Sequence, residues 1–111
     1  MDNRIRKIEA TDDGRTRVFP ETANSIFEYV YRAAAGVYWN KELHCFQSSN
    51  PNNWDNWGHK EWVIQILSAV NSELGERLIL TDETIFDKNI LSFEDEIRKA
   101  YLETQAKSEA E

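Results

Sequence analysis

The spacing of hydrophobic residues along the chain predicts strands in close pairs, each pair followed by a helix. Residues 4–10 alternate weakly, with Ile5 and Ile8 among charged side chains, and residues 15–19 follow an Asp13-Gly14 turn signal. A short turn between two such runs is typical of a β-hairpin. The chain is therefore predicted to begin with two antiparallel strands.

A first helix is predicted over residues 21–35, after the interruption at Pro20. Its apolar residues recur at the 3.6-residue spacing that places them on one face of an α-helix. These residues are Ile26, Phe27, Val30, Tyr31 and Ala34. Gly36 follows in the position where a glycine commonly ends a helix.

A second hairpin is predicted from two short aromatic and β-branched runs, residues 37–39 and 43–47, on either side of Asn40-Lys41-Glu42. Strand alternation would place Leu43, Cys45 and Gln47 on one face of the second run, with His44 and Phe46 on the other. Both faces carry large apolar groups. The pattern therefore does not choose which face belongs to the core.

A second helix is predicted after the polar loop of residues 48–53, with Asp55 or Asn56 as its N-cap and Gly75 as its end. The spacing of its apolar residues is that of a helix with one buried face. This stripe consists of Trp62, Val63, Ile66, Leu67, Val70 and Leu74.

Residues 77–81 and 84–86, separated by Asp82-Glu83, resemble a third pair of short strands. Ser92 and Asp95 have the spacing of a capping box, and a last helix is predicted from residue 93 to about residue 105. The apolar face of this helix carries Phe93, Ile97, Ala100 and Tyr101. Residues 106–111 are polar, and we expect a frayed tail.

These elements predict a single α+β domain over residues 1–105. Strands joined so closely cannot make parallel crossovers, so we expect an antiparallel sheet built from short hairpins. About three helices would pack mainly on one face in a two-layer arrangement. The other face of the sheet would be left for water, a ligand or another subunit.

The net charge of the protein limits the kinds of molecule that it is expected to bind. The formal net charge is −7 and the pI is about 4.8, which disfavours binding to nucleic acid or to an anionic membrane. A basic protein partner fits this charge better, and an ordinary solvated acidic surface is the simpler alternative. A single cysteine and the lack of an apolar leader or membrane segment favour the cytoplasm.

His44, Cys45 and His59 are the residues with the most reactive side chains. A thiolate and imidazoles can bind a metal, or they can form a nucleophile and its base. Adjacent strand residues point to opposite faces, so His44 and Cys45 are not expected to share one ion. We therefore interpret Cys45 as a small buried hydrophobic residue, and we expect no metal, no cofactor and no catalytic residues.

Aromatic residues are concentrated between residues 37 and 62. Such rings can form a pocket for a sugar, a base or a cationic ligand, although packing in the core is their more common use. Trp62 belongs to the predicted helix stripe. The candidate binding residues are Tyr38, Trp39, His44, Trp54, Trp57 and His59.

Several motifs in residues 29–86 give a resemblance to a known group. They are the Gly-Val-Tyr-Trp-Asn run at residues 36–40, Phe-Gln-Ser at 46–48, the proline-led loop at 51–54 and Glu-Leu-Gly at 73–75. In these motifs the chain resembles small uncharacterised bacterial proteins encoded in mobile integron gene cassettes. The resemblance implies a small cytosolic α+β protein that forms a dimer and has no assigned chemistry.

Two hypotheses for the function remain open at the level of sequence. The first is a non-catalytic module, immunity-like or antitoxin-like, that binds a protein partner or its own copy. The second is a small-molecule-binding protein or small enzyme with an aromatic pocket around Trp39, Trp54 and Trp57.

Overall fold

A computed structural model describes residues 2–33, 36–48 and 58–110, and the side chains of all of these except residues 2 and 106–110. The strands are β1 (Asp2–Ala10), β2 (Thr16–Pro20), β3 (Val37–Asn40), β4 (Cys45–Ser48), β5 (Arg77–Ile79) and β6 (Ile85–Phe86). The helices are α1 (His59–Leu74) and α2 (Glu94–Ala110). Two 3₁₀ helices complete the description, a first at Ser25–Ala33 and a second at Leu91–Phe93.

The described strands form one mixed sheet in the order β3-β4-β2-β1-β5, with β6 also paired to β1. The β1–β2 and β3–β4 pairs are antiparallel, which confirms the first two predicted hairpins. The β1–β5 and β1–β6 pairs are parallel. The prediction of a purely antiparallel sheet is therefore wrong at the β1 edge.

The helix α1 explains the parallel pairing. It lies between β4 and β5 and carries the chain back to the end of the sheet at which β4 began, so that β5 runs in the same direction as β4. β5 and β6 then follow one another along the same edge of β1 and do not form the predicted hairpin. The short loop between β5 and β6 shows that these two strands lie close together in the fold. It does not show that both pair with a third strand, β1.

Thr84 joins these two short strands to β1. Its buried hydroxyl donates a hydrogen bond to the carbonyl oxygen of Ile5 at 2.6 Å. The hydroxyl oxygen of Thr84 in turn accepts a hydrogen bond from the amide of Thr81 at 3.1 Å. One side chain thus satisfies backbone groups that the break between β5 and β6 would otherwise leave without partners.

The first helix has a different geometry from the one predicted, because it is a 3₁₀ helix over Ser25–Ala33. Asn24 begins it: its carbonyl accepts the amide of Phe27 at 3.0 Å, and its side-chain oxygen accepts the amide of Ile26 at 3.0 Å. A 3₁₀ helix has three residues per turn, so side chains three positions apart line up along one face.

This geometry changes which residues of the first helix are buried. Phe27 and Val30 are fully buried and Ala33 packs against the core, at intervals of three. Ile26 and Tyr31, predicted to share the buried face, are exposed. Ala34 was also predicted on that face, and it lies outside the described residues.

The predicted second helix is confirmed as α1, with a later start. It begins at His59 with Gly58 as its N-cap, and Glu61 accepts the Gly58 amide at 3.2 Å. The predicted N-cap at Asp55 or Asn56 is therefore wrong. At the other end Gly75 adopts a left-handed conformation, φ 67°, as expected for the residue that ends a helix.

The core lies between one sheet face and the helices. Ile8, Val18 and Phe46 come from the sheet, and the stripe of α1 covers them. Trp62, Val63, Ile66 and Val70 of this stripe are buried, and Leu67 and Leu74 are partly buried, as predicted. The opposite sheet face carries a chain of polar contacts, in which Arg17 bonds Glu9 at 3.0 Å and Gln47 at 3.1 Å.

The last helix closes the same side of the sheet. Ile97 and Tyr101 of α2 are buried, which confirms its predicted apolar face. Ser92 lies inside the second 3₁₀ helix and is not an N-cap, and the backbone of α2 continues past the predicted end to Ala110. No helix in the described part of the chain is long and apolar enough to cross a membrane.

Candidate functional site

The β3–β4 turn fixes the position of His44. The side-chain oxygen of Asn40 accepts the amides of Glu42 and Leu43, both at 3.1 Å, and so closes the turn. His44 then takes a left-handed backbone conformation, φ 58°. This region is unfavourable for most side chains, although histidine is found there more often than most. The result is that the imidazole of His44 stacks on Trp39, with ring centroids 6.3 Å apart.

Trp39 is half-buried at the edge of the core. Its ring contacts Phe27 at 5.2 Å edge-on and Phe46 at 4.8 Å between centroids. The neighbouring residue Tyr38 points to the opposite sheet face and is exposed. Trp39 therefore connects β3 and β4 to the first 3₁₀ helix.

Cys45 is fully buried, which confirms its interpretation as a small hydrophobic residue. Burial raises the pKa of its thiol to about 11, because desolvation disfavours the thiolate. A nucleophilic or metal-binding cysteine needs the thiolate form. This side chain is thus held in the form that does neither.

His59 lies at the start of α1 and contacts a different part of the sheet. Its Nδ1 atom is 2.8 Å from the hydroxyl oxygen of Thr16, and its ring meets Phe93 edge-on at 5.2 Å. Partial burial lowers the pKa of His59, since desolvation disfavours the imidazolium. The ring is held by packing and by one hydrogen bond.

The predicted binding residues are not gathered into one cleft. Thr16, the partner of His59, donates its amide to the hydroxyl of Ser48 at 2.9 Å, so His59 lies at the Ser48 end of β4. His44 precedes the other end, about 13 Å away at the usual rise per strand residue. Trp54 and Trp57 lie outside the described residues. Among the residues that are described, no group of three or more His, Cys, Asp or Glu is placed to hold a metal ion.

Exposed apolar side chains concentrate elsewhere, on the first 3₁₀ helix, β3 and the turn after it. We call this region the tyrosine-rich edge, and it comprises Ile26, Tyr29, Tyr31, Tyr38 and Leu43. The first 3₁₀ helix and β3 contact one another. The guanidinium of Arg32 lies 4.5 Å from the centre of the Tyr29 ring and holds that ring in place.

The backbone of β3 adds a second feature to this edge. β3 is the last strand of the sheet, and among the described residues it pairs with β4 alone. The outer edge of a terminal strand presents amide and carbonyl groups that a partner chain can bind. The tyrosine-rich edge therefore combines aromatic side chains with a strand edge.

The comparisons with known proteins agree with the resemblance in residues 29–86. The family of Integron Cassette Protein Hfx_Cass5 matches residues 4–84. The chain belongs to this family. A solved structure of Integron Cassette Protein Hfx_Cass5, from the mobile metagenome of the North West Arm sewage outfall, is 30% identical to the chain. The alignment covers 88% of this chain and 93% of that one, with a TM-score of 0.41. No curated protein matches the chain.

The Hfx_Cass5 family name states no substrate, partner or reaction. The sequence pattern predicts Tyr38 as a candidate binding residue, but it places Tyr31 on the buried face of the first helix and does not single out Tyr29. The signal for the exposed tyrosines is the three-residue interval of Phe27, Val30 and Ala33. That interval, read as a 3₁₀ helix, leaves both tyrosines outside.

Proposed function

We propose that this integron cassette protein is a cytoplasmic, non-catalytic protein-binding module that contacts its partner through the tyrosine-rich edge. One observation supports this most. Five of the eight exposed large hydrophobic side chains among the described residues lie between residues 26 and 43, on consecutive elements. Clustered exposed apolar surface is typical of interaction sites, whereas isolated exposed residues are not.

The chemistry of the edge favours a protein over a small molecule. Tyrosine and arginine are enriched in protein interfaces, where an aromatic ring provides contact area and still keeps a polar group. Tyr29, Tyr31 and Arg32 supply this combination on one short helix. The strand edge of β3 would add backbone hydrogen bonds, which small ligands seldom use at such length.

The proposed partner is a basic protein, in an immunity-like or antitoxin-like role. The net charge of −7 would attract a positively charged surface and speed the encounter. Contact at the tyrosine-rich edge would then supply most of the binding energy. Association with a second copy of the chain is the other form of this proposal, and sedimentation distinguishes a dimer from a monomer.

The experiment is a comparative pull-down from host lysate with three versions of the protein. The wild type should retain one stoichiometric basic partner. The double variant Tyr29→Ser/Tyr31→Ser should lose it. Leu102→Ser is the matched control, because it removes an exposed apolar side chain from α2 and should retain the partner. Equal retention by all three versions, or no partner for the wild type, contradicts the proposal.

The second candidate function is small-molecule binding near Trp39, Trp54 and Trp57. The observation that favours it is the parallel stacking of His44 on Trp39, a pair that a planar ligand can join or replace. Tryptophan fluorescence of the wild type, but not of Trp39→Phe, should then shift with a planar metabolite. A flat response across a panel of sugars, bases and quaternary amines argues against it.

A further inference from the structure

The β1–β2 pair carries a β-bulge at Arg6. Ile5 lies opposite Pro20 and Lys7 lies opposite Phe19, so β1 has one residue more than β2 over this interval. Adjacent strand residues usually point to opposite faces of a sheet. Here the guanidinium carbon of Arg6 lies 4.9 Å from the centre of the Phe19 ring, and Nζ of Lys7 lies 5.7 Å from the same point. The bulge therefore brings two cations together over one aromatic side chain.

The ring of Phe19 lies on the sheet face opposite the core. Its neighbour Val18 belongs to the core, whereas Phe19 is only 6% exposed and yet is not part of that cluster. Long basic side chains commonly cover an apolar group with their methylene chains and keep the charged end in water. Arg6 is exposed and the side chain of Lys7 is 32% exposed. Packing on Phe19 therefore holds both stems against the sheet while the charged groups stay accessible.

Polar residues extend this face across β2 and β4, where Arg17 pairs with Gln47. The side-chain oxygen of Gln47 accepts Nε of Arg17 at 3.1 Å and the side-chain amide of Asn40 at 3.5 Å. Glu9 uses one oxygen for Nζ of Lys7 at 3.2 Å and the other for Nη1 of Arg17 at 3.0 Å. We call this region the charged sheet face, and it comprises Arg6, Lys7, Glu9, Arg17 and Gln47.

The charge of this face is opposite to that of the whole protein. It holds three cations and one carboxylate, a net charge of +2, whereas the chain carries −7 and its remaining residues therefore carry −9. Among the described residues, no carboxylate forms an ion pair with Arg6. The acceptor atoms of Glu9 and Gln47 already receive hydrogen bonds. The face thus offers donors and positive charge, which fit an anionic group with several acceptor oxygens.

The spacing of the face matches an extended acidic peptide. Arg17 and Phe19 are successive positions on one face of β2, so they lie about 6.8 Å apart. Acidic side chains at alternate positions of an extended segment repeat at the same interval. One carboxylate can then lie at Arg17 while the next lies at Arg6 and Lys7 above Phe19. Arginine is also enriched in protein interfaces, where its guanidinium binds a carboxylate through two parallel hydrogen bonds.

A nucleic acid fits this face less well than an acidic peptide. Single-stranded nucleic acids bind by stacking their bases on open aromatic rings, and the ring of Phe19 is covered by Arg6 and Lys7. A long polyanion would also extend beyond the face into the field of the remaining residues, whose net charge is −9. A short acidic segment avoids both difficulties.

We propose that the charged sheet face binds an extended acidic segment of another protein, with carboxylates at alternate positions. This contact is distinct from the proposed binding of a basic partner at the tyrosine-rich edge. The residues Tyr29 and Tyr31 of that edge belong to the first 3₁₀ helix, whose Phe27 packs in the core on the other side of the sheet.

The test compares three fluorescently labelled probes in anisotropy titrations of the full chain at low salt. They are a peptide of alternating glutamate and serine, the same peptide with glutamine for glutamate, and an oligothymidylate of equal length. We expect saturable binding of the glutamate peptide, at least about tenfold tighter than that of the glutamine peptide. Equal affinity for the two peptides, no saturable binding, or tighter binding of the oligothymidylate overturns the proposal.

Two pairs of variants separate the face from the net charge of the protein. Arg6→Gln should weaken binding of the glutamate peptide at least about fivefold. Lys99→Gln, which removes one positive charge from an exposed position of α2, should change it by less than about twofold. Equal effects of these two substitutions would mean that the peptide responds to net charge and not to this face.

The second pair predicts a gain of affinity, which a misfolded variant does not give. Glu9→Gln removes the carboxylate that engages Lys7 and Arg17, so it should strengthen binding of the glutamate peptide about two- to fivefold. Glu103→Gln, at an exposed position of α2, makes the same change in net charge and should have less effect. Affinity that does not rise in Glu9→Gln contradicts the proposal even if Arg6→Gln fails to fold.

The two proposals fail independently. Tyr29→Ser/Tyr31→Ser should leave binding of the glutamate peptide unchanged. Conversely, Arg6→Gln should leave capture of a basic partner through the tyrosine-rich edge unchanged. Loss of peptide binding in the double tyrosine variant would place the peptide at the edge and overturn its assignment to the charged sheet face.

Discussion

Burial determines the chemistry of Cys45, the single cysteine of the chain. Its thiol is fully buried and its pKa is raised to about 11 from an ordinary 9.0. At pH 8 the folded protein should therefore hold roughly a hundredfold less thiolate than the unfolded chain. We predict that an aromatic disulfide reagent labels the native thiol at least about a hundredfold more slowly than the thiol in urea. Equal rates would mean that the side chain is accessible.

His59 should make stability depend on pH. Burial lowers its pKa below the ordinary value of 6.5, so the unfolded chain binds the proton more tightly than the folded protein does. The contribution of neutral His59 to the free energy of unfolding is complete above about pH 6.5. It is lost as the pH falls through the pKa of His59 in the folded protein.

The measurement is the free energy of unfolding between pH 7 and pH 5.5, a window above the main titration of the carboxylates. The wild type should lose stability as the pH falls, and His59→Asn should lose less over the same interval. Thr104→Val, which removes an exposed hydroxyl and no titratable group, is the control and should follow the wild type. If the free energy of unfolding of His59→Asn falls with pH as steeply as that of the wild type, the pKa of His59 is not lowered.

At the scale of elements, the geometry of the first 3₁₀ helix determines which of its residues stabilise the fold. Phe27 is fully buried against Trp39 and Phe46, whereas its neighbour Ile26 is exposed. Phe27→Ala should reduce the free energy of unfolding by about 3–5 kcal/mol. Ile26→Ala should reduce it by less than about 1 kcal/mol. If urea denaturation shows that both substitutions reduce the free energy of unfolding equally, this segment is an α-helix with both residues buried.

Thr84, which directly precedes β6, should contribute more to stability than its position outside the strands suggests. Thr84→Val leaves the buried carbonyl of Ile5 without the hydroxyl that donates to it, and it also removes the acceptor of the Thr81 amide. We predict a loss of about 1–3 kcal/mol in the free energy of unfolding. Thr104→Val, at an exposed hydroxyl bonded within α2, should change stability by no more than about 0.5 kcal/mol. Equal effects would contradict the role of Thr84.

The elements that the sequence predicts correctly depend on local chemistry. The first two hairpins follow from alternation around a turn, and α1 follows from its apolar stripe and from Gly75. The parallel pairing of β5 and β6 with β1 depends on contacts between residues more than seventy positions apart, for example Asn3 with Leu78. No local spacing encodes such a pair. The sequence does not indicate the 3₁₀ geometry because Phe27 and Val30 fit both periods, 3.0 and 3.6, and apolar residues also occupy the other positions of the 3.6-residue face.

At the scale of the whole molecule, the candidate site was harder to predict than the fold. His44 and His59 lie in one aromatic stretch of the sequence, but the sheet holds them near opposite ends of β4. The charged sheet face is assembled from three separate strands. Its residues show no common pattern along the chain, because each is placed by the pairing of its own strand.

The central claim is that a protein partner binds at the tyrosine-rich edge, and site-specific photo-crosslinking in living host cells tests it most directly. Benzoylphenylalanine would replace Tyr31, Tyr38 or, as the control on α2, Leu102. We predict that the first two positions form an adduct with the same basic protein and that the third does not. An adduct with that protein at Leu102, or no adduct at Tyr31 and Tyr38, would contradict the account.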